Sequence, residues 1–564
     1  MCGLLFVKQL QTSVTEKDLS VFKKALDLMS YRGPDATHMV QAGPCLLGHV
    51  RLSIIDLSMQ SNQPFKTKNG FLLFNGEIYN YNDINGNVNS DTKMLAELFN
   101  EGVVDCARLE GMYAMLHYHI ELDDVIVHRD FFGEKPLYYY IDDNIFIVSS
   151  TIKSIRYILT NAGGSSLLLN EAAVIDYLGF GFVREPLTIY KNIYALPSGH
   201  SLSFNRSNQL SVRSDLTNLM SSPAVNFKSY MTKALQVSDV PATLLLSGGI
   251  DSNYLLHMFH HLEMRPEILI YKHDNGGVDE SAQALSHLSK IDQSLLSKVI
   301  LATGSVSAED VNCFAHIMEQ PSSDGLNLFT ILKHLKQKKP NAKLIYTGLG
   351  GDEMFGGYNS FKYLKYFKGV DFLRKLGVGH IMGQRFKRFA LELSGRFPSF
   401  MLFYFLYRLD LATLQACRVD LGCIRDAYLR FGEGLSPYFS NGAEHHPLLG
   451  LKMCETMDYM KNQLLRDSDN ISMHFGLESR SPFLSRSLMH VQPDFKRGLQ
   501  QTLLTDYHIR FKKKQGFTVK SEVFLDVQFQ AEYEVFFGMP CPRDLNAGSI
   551  RKLKNLFLWT RAMV

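Results

Sequence analysis

Leu244-Leu245-Leu246-Ser247-Gly248-Gly249-Ile250-Asp251-Ser252 is the stretch on which the reading of this chain turns. The apolar run reads as a buried strand, the Ser/Gly turn as its end, and Ile250 onward as a helix. A strand that passes through a Gly-rich loop into a helix aims backbone N–H groups and the positive end of the helix dipole at one point, which grips phosphate. The hydroxyls of Ser247 and Ser252 add donors, and Asp251 offers the oxygen ligand that Mg²⁺ prefers. Outward from this stretch, Ala242 to Leu246, Glu267 to Tyr271 and Lys343 to Tyr346 are strand-like runs separated by helical segments. That alternation is expected of a doubly wound parallel α/β sheet. The third run leads into a second phosphate-compatible turn, Thr347-Gly348-Leu349-Gly350-Gly351-Asp352-Glu353, and from about residue 355 the chain reads as helical and aromatic.

Upstream the pattern changes. Residues 1 to about 205 are strand-rich, with β-type runs at Cys45 to Leu47, Gly70 to Phe74, Val125 to Val127 and Asn144 to Val148. Helical patterns are fewer, roughly Glu16 to Ser30 and Asp91 to Gly102. Ser201 to Ser203 reads as a last strand before a polar connection from Asn205 to Ser214, which sets the expected domains at 1–205 and 206–564.

The chain opens Met1-Cys2-Gly3. Loss of Met1 would leave Cys2 with its own α-amine beside its thiol; an α-amine titrates near pH ~8 and a thiol near ~8.5. The amine can then take the thiol proton with no second residue, as in N-terminal Thr nucleophiles. Asn75-Gly76-Glu77 follows an apolar strand, and an Asn amide with a Gly N–H is the donor pair that holds a tetrahedral oxyanion. Arg51 can grip a carboxylate through two parallel hydrogen bonds, and Asp91 can pair with an ammonium group. Thiol, carboxylate grip and ammonium grip together fit glutamine. Taken singly, Arg51 also fits a surface ion pair and Asp91 an acid at a helix start.

Bulk properties narrow the classes. With 564 residues, 46% hydrophobic and 20% charged, the chain is long enough for two or more domains and has the balance of a soluble protein. A formal net charge of +3 gives no reason to expect a nucleic-acid partner. The eight cysteines include no C-x-x-C pair and no accompanying His cluster, so zinc and redox motifs are disfavoured and reduced thiols in the cytoplasm are expected. No basic-then-apolar leader opens the chain. The most membrane-like stretch, Phe400 to Tyr407, stops at Arg408, far short of the ~20 residues a spanning helix needs, and reads as a core helix.

Seven motifs in order now carry a resemblance: Met1 to Gly3, Arg32-Gly33-Pro34-Asp35, Gly48 to Leu57, Gln63-Pro64-Phe65, Asn75 to Asn80, Ser90-Asp91-Thr92 and Gly133 to Tyr138. They resemble the class II (Ntn-type) glutamine amidotransferase domain of glutamine-hydrolysing asparagine synthetases. The turn at Ser247 to Ser252 is similar to the pyrophosphate loop of the ATP-pyrophosphatase (PP-loop) superfamily. The blocks at Thr347 to Tyr358, Asp469 to Met473 and Gly476 to Leu484 resemble further parts of the same synthetases.

The resemblance implies an αββα Ntn sandwich followed by a parallel α/β domain with a helical C-terminal part. It implies Cys2 as nucleophile, Asn75 and Gly76 as oxyanion hole, and Arg51, Ile54, Glu77 and Asp91 as glutamine contacts. ATP and pyrophosphate fall to Leu246, Ser247, Gly248, Gly249, Asp251, Ser252, Ile270, Thr347, Gly348 and Lys514, and Mg²⁺ to Asp251 and Asp352. Lys514 also fits one member of a solvated run, Lys512 to Lys514. The implied partners are glutamine, ATP and a carboxylate acceptor, aspartate by default, in an arrangement that leaves a homodimer open.

The chain departs from the family pattern in several places. Tyr31 stands for a usual His, Phe131 for a common Arg, Asn470 for Arg and Ser485 for Asp. Leu349 matters most, because it stands where the family carries an active-site Glu and cannot move a proton. Glu319 or Glu353 could replace that acid. The rival readings are an amidotransferase for another carboxylate, such as a sugar acid or secondary metabolite, a cyclase using an internal amine, a tRNA-thiolating PP-loop enzyme, and a silent binding protein. Intact Cys2 argues against the cyclase and the silent protein. Residues 361–388 carry eight Lys/Arg against Asp371, with interleaved aromatics, and fit either a solvated amphipathic helix or a docking face for an anionic acceptor.

Overall fold

The computed structural model describes residues 2–102, 104–162, 167–217, 226–273, 280–304, 306–363, 396–439, 446–489, 495–511, 529–542 and 545–563. Lys514 and nearly all of the basic segment lie outside them. The N-terminal strands are β1 (Gly3–Gln9), β2 (Ala36–Ala42), β3 (Cys45–Arg51), β4 (Phe65–Lys66), β5 (Gly70–Ile78) and β6 (Gly111–His119). They continue with β7 (Asp124–Arg129), β8 (Tyr138–Ile141), β9 (Ile145–Ser149), β10 (Ile193–Ala195), β11 (His200–Phe204) and β12 (Leu210–Ser214). They form two six-stranded sheets, β10-β8-β9-β1-β3-β2 and β12-β11-β7-β6-β5-β4, antiparallel throughout.

The period-2 rule shows how the sheets stack. In β1, Leu4 and Phe6 join Leu47, Val148, Leu73, Leu116 and Val127 in a core between the two sheets. The alternate residues Leu5 and Val7 belong instead to the large core that includes Phe22 and Leu26 of helix Glu16–Asp27 and Ile155 and Leu159 of helix Ile152–Ala162. On the second sheet, Leu72 and Phe74 share that larger core with Met94 and Leu95 of helix Asp91–Asn100. Helices thus cover the outer faces of two stacked sheets, the expected αββα sandwich.

The expected boundary at 205/206 is corrected. Leu210–Ser214 is β12, paired antiparallel with β11 from His200↔Ser214 to Phe204↔Leu210, so the first unit extends at least to Ser214. The polar residues there belong to a solvated edge strand, whose weak alternation reads as a connection.

The second unit holds β13 (Ala242–Leu245), β14 (Glu267–His273), β15 (Val299–Gly304), β16 (Leu344–Tyr346) and β17 (Glu478–Arg480). They form a sheet in the order β15-β14-β13-β16-β17, parallel at every pairing. Strands β15 and β17 were absent from the expected set. The latter is three polar residues, all buried, and its charges mimic a loop. Helix Ser399–Arg408 buries Phe400, Met401, Tyr404 and Phe405 in the core, as read from its composition. Among the described residues no helix is long and apolar enough to cross a membrane.

Candidate active sites

Cys2 sits immediately ahead of β1 and is buried. Its N–H donates to Asn75 Oδ1 (3.0 Å). That bond occupies the amide oxygen and leaves Asn75 Nδ2 buried with no hydrogen-bond partner. A buried, unsatisfied amide donor is unfavourable on its own and calls for an acceptor. Gly76, next along β5, has φ +147, and a Cβ there would lie 2.0 Å from Met112 O, so only glycine fits. Burial pushes the Cys2 thiol above its ordinary value, while the Leu52 N–H and the Arg51 guanidinium pull the other way. The nearby His49 ring is held neutral, its pKa lowered by burial to about 3.

Two of the glutamine-contact candidates, Glu77 and Asp91, are buried on and against β5, the strand that carries Asn75. Asp91 opens helix Asp91–Asn100 behind the cap Ser90 and accepts from the N–H groups of Ile78 (3.2 Å) and Thr92 (2.7 Å). Burial raises Asp91 to about 6. Glu77 is buried with Oε2 3.6 Å from Arg480 Nη2. Arg480 binds Glu478 more tightly, Nε to Oε1 at 2.6 Å. Two carboxylates sharing one guanidinium cannot both ionise easily. The closer one, Glu478, keeps the charge at a pKa of about 2, and Glu77 is driven well above its ordinary value by burial and by Glu478 and Asp91. Ile54 is buried in a small cluster with Leu52, Ile55 and Met473.

Arg51 is differently occupied from the carboxylate grip expected of it. Its Nη1 donates to Ser58 O (2.7 Å) and Asn62 Oδ1 (2.8 Å), and its Nη2 to Ile55 O (3.5 Å) and Asp56 O. It fastens the turn beside Cys2, and reaching a substrate carboxylate would require exchanging some of these bonds.

The second site follows from topology. In the order β15-β14-β13-β16-β17 the chain direction of winding reverses between β13 and β16, which opens a crevice at their C-terminal ends. Both Gly-rich turns emerge there. Leu246 N–H donates to Leu269 O (2.9 Å), holding the end of β13 against β14, in which Ile270 is buried. Ser252 Oγ and Asn253 Nδ2 both donate to Ser247 O, at 3.1 Å each, closing the loop. The helix Ile250–His261 starts behind Gly249 with no side-chain cap, so the positive end of its dipole lies at the turn. Gln283 Nε2 donates to Gly248 O (3.2 Å) and braces the turn.

The two turns face one another. A Cβ on Gly348 would lie 3.1 Å from Asp251 Cβ, and one on Gly351 would lie 2.4 Å from Asp251 Cγ. A Cβ on Gly357 would lie 1.8 Å from Asp352 Oδ1. Glycines therefore make room for both carboxylates named as Mg²⁺ ligands, an all-oxygen donor set that suits that ion. Thr347 N–H donates to Arg480 O (3.0 Å). Glu353 is buried, accepts from Tyr358 Oη, and is raised to about 7 by burial and by Asp352. Glu319 faces the other way: it accepts from Tyr31 Oη (3.3 Å) and Lys153 N–H (2.9 Å), both from the N-terminal unit. Leu349 packs against the core. A cavity of about 510 Å³ opens at the opposite, N-terminal end of the strands, beside Ala242, Glu267 and Val299, away from both turns.

Three charged residues that sequence reading quoted without a role join the sites. Arg32, fully buried, donates from Nε to Cys2 O (3.1 Å) and pairs through Nη1 with Asp469 Oδ2 (2.8 Å). Lys135 Nζ lies 3.9 Å from Asp469 Oδ1. Arg480 links Thr347 by its carbonyl and Glu77 by its guanidinium. A cavity of about 20 Å³, roughly that of one small molecule such as water, lies at the junction of the two units, lined by Arg129, Glu134, Lys461 and Arg466. The signal available beforehand was the charge itself, since Arg32 and Arg480 sit inside motifs that also carry an acid, Asp35 and Glu478.

Paired half-sites of this kind, a thiol with an oxyanion pocket and a phosphate crevice on one chain, define a glutamine-dependent ligase. A glutamine amidotransferase domain model matches residues 1–214 and an asparagine synthase model matches residues 227–493. The chain belongs to the glutamine-hydrolysing asparagine synthetase family, which uses ATP. It is 24% identical to asparagine synthetase [glutamine-hydrolyzing] 1 of Bacillus subtilis, over 92% of this chain and 87% of that one. A second B. subtilis asparagine synthetase is 26% identical over 64% of this chain and 52% of its own. Amidase chry2 of Gibberella zeae is 28% identical over 60% of this chain and 55% of its own.

Proposed function

We propose that the chain hydrolyses glutamine at Cys2 and passes the ammonia to a carboxylate activated by ATP, with aspartate as the first acceptor to test and asparagine as its product. The observation that carries the first half is the buried, unpartnered Asn75 Nδ2 beside Cys2. The Cys2 thiolate attacks the side-chain carbonyl of glutamine, and the developing oxyanion takes up Asn75 Nδ2 and the Gly76 N–H. Collapse expels ammonia and leaves a thioester, which water opens to glutamate. Asp91 pairs with the substrate ammonium, and Glu77, Ile54 and Arg51 shape the remainder of the pocket.

In the second half the backbone of Ser247 to Ser252 holds the β- and γ-phosphates, Thr347 and Gly348 flank the nucleotide, and Leu246 and Ile270 line it. Lys514 is proposed as a further phosphate cation. The acceptor carboxylate attacks the α-phosphorus, pyrophosphate leaves, and ammonia displaces AMP to form the amide. Asp251 and Asp352 would hold Mg²⁺, which neutralises charge on the leaving pyrophosphate when bound. With Leu349 unable to carry a proton, we assign that role to Glu353, the buried acid next to Asp352.

Pyrophosphate release, measured with glutamine present over a panel of carboxylates, decides the acceptor. Aspartate-dependent release with asparagine appearing supports the reading above. Release only with another carboxylate selects an amidotransferase of a different pathway, the reading that Leu349 favours.

A pH dependence follows from Asp91. Its folded pKa of about 6 lies above the ordinary carboxyl value, so it is charged above that pH and neutral below it. The KM for glutamine is expected to climb as pH falls through about 6, while Asp91→Asn shows a high KM that no longer responds over that range.

A further inference from the structure

The turn that carries Leu52 to Ser58 stands against Cys2, and part of what shapes it comes from the other unit. Asp56 holds φ +51, a left-handed conformation unfavourable for a residue with a Cβ. Two clamps within the N-terminal unit support it: the Arg51 bonds to Ile55 O, Asp56 O and Ser58 O, and the Asp56 carboxylate, which accepts from Ser58 N–H (3.1 Å) and Ser61 Oγ (2.6 Å). The third clamp is the segment between helix Phe227–Gln236 and β13. Asp239 N–H donates to Ile54 O (2.9 Å), and Asp239 Oδ2 accepts from Asp56 N–H (2.9 Å). On either side of Asp239, Val237 and Val240 pack against the cluster of Leu52, Ile54 and Ile55.

The same segment is tied to the synthetase core and to the glutamine pocket. Arg480 Nη1 donates to Ala234 O (3.3 Å) and Val237 O, while Nη2 lies 3.6 Å from Glu77. Just past Asp239, at Ala242, the chain enters β13, whose far end leads into the Ser247 turn. A short strap thus runs from the strand beneath the ATP crevice to the turn whose Leu52 N–H faces the thiol.

We infer that Asp239 is a positioning residue for glutamine hydrolysis, supplied by the synthetase unit to hold the 52–58 turn in the conformation that faces Cys2. The inference rests on the glutaminase reading and goes beyond it, because it makes the glutamine pocket dependent on a segment that carries no glutaminase chemistry. Asp239 is exposed, so its replacement leaves the core intact.

The test uses the full chain and three measurements: glutamine hydrolysis without acceptor, ATP binding, and thermal unfolding. Asp239→Ala removes one hydrogen bond to the turn and is expected to raise the glutamine KM about fivefold, with a smaller change in kcat. ATP affinity and the unfolding midpoint stay as in the unmodified protein. Asp239→Asn keeps an oxygen that can accept from the Asp56 N–H and is expected to restore the KM. An unchanged KM in Asp239→Ala overturns the inference while leaving the glutaminase reading standing. A defect shared by ATP binding and unfolding, and not repaired in Asp239→Asn, also overturns it, as a general structural effect. Absence of hydrolysis in the unmodified protein overturns the glutaminase reading, and this inference with it.

Discussion

Cys2→Ala is expected to abolish glutamine hydrolysis and glutamine-driven pyrophosphate release while leaving release driven by added ammonia in place. The thiol is the one group proposed to bond to substrate carbon, and alanine cannot replace it. Asn75→Ala is the sharper companion, because it keeps the nucleophile and removes the oxyanion donor. Loss of one such donor lowers kcat by about 10²–10³, equivalent to roughly 2.7–4 kcal/mol. The effect should fall on kcat more than on KM, since the oxyanion exists only in the transition state. The Cys2 N–H to Asn75 Oδ1 bond is also lost, so a parallel rise in KM would report nucleophile misplacement. Steady-state glutaminase kinetics with both variants separates the two. Full glutaminase activity in Cys2→Ala would remove the nucleophile assignment.

Gly351→Ala is expected to have the mirror-image phenotype. The added Cβ would fall 2.4 Å from Asp251 Cγ and 2.5 Å from its Oδ1, distances that no packed carbon tolerates, so the carboxylate must leave its place. Displacing the carboxylate proposed to hold Mg²⁺ should lower ammonia-driven pyrophosphate release by about two orders of magnitude or more, with glutamine hydrolysis preserved. Asp251→Asn tests the same group by removing charge in place of position. The crowding explanation fails if Gly351→Ala releases pyrophosphate at the unmodified rate. Together the two pairs of variants dissect the halves of one reaction on one chain.

The interface between the halves is built from charges that leave little room for a neutral substitute. Arg32, Asp469, Arg480 and Glu478 are almost fully buried, and each pair spans or adjoins the two units. Buried pairs contribute little net stability against a well-packed apolar alternative, but removing one partner leaves a stranded charge. Their placement therefore reads as specification of how the two sites face each other, and Arg480 touches both.

Much of the architecture was legible beforehand because it rests on periodicity and on Gly-rich turns. The alternation in Gly3–Gln9 distributes side chains to two cores, and the runs at Ala242, Glu267 and Leu344 are apolar because their strands are covered on both faces. What escaped was whatever local pattern does not encode. Glu478–Arg480 is a strand only because β16 lies beside it, and Leu210–Ser214 is one only because β11 pairs with it. Arg51, a residue type suited to a carboxylate, spends its donors on a turn. The motif at Gly476 to Leu484 was visible, but that its arginine reaches Glu77 was not.

The amino-acid sequence by itself determined which groups are candidates for the two chemistries, because a thiol at residue 2 and a Ser/Gly turn between strand and helix are visible in covalent structure and local backbone pattern. It also determined the parallel order of secondary structure on which the second site depends. Only the tertiary structure decided how the sites are joined. Arg32 meeting Asp469, Arg480 meeting Glu77, and Asp239 clasping Ile54 and Asp56 are contacts between residues up to several hundred positions apart. No local pattern specifies such pairs, since they follow from the packing of the two units into one continuous core and the burial of charges between them.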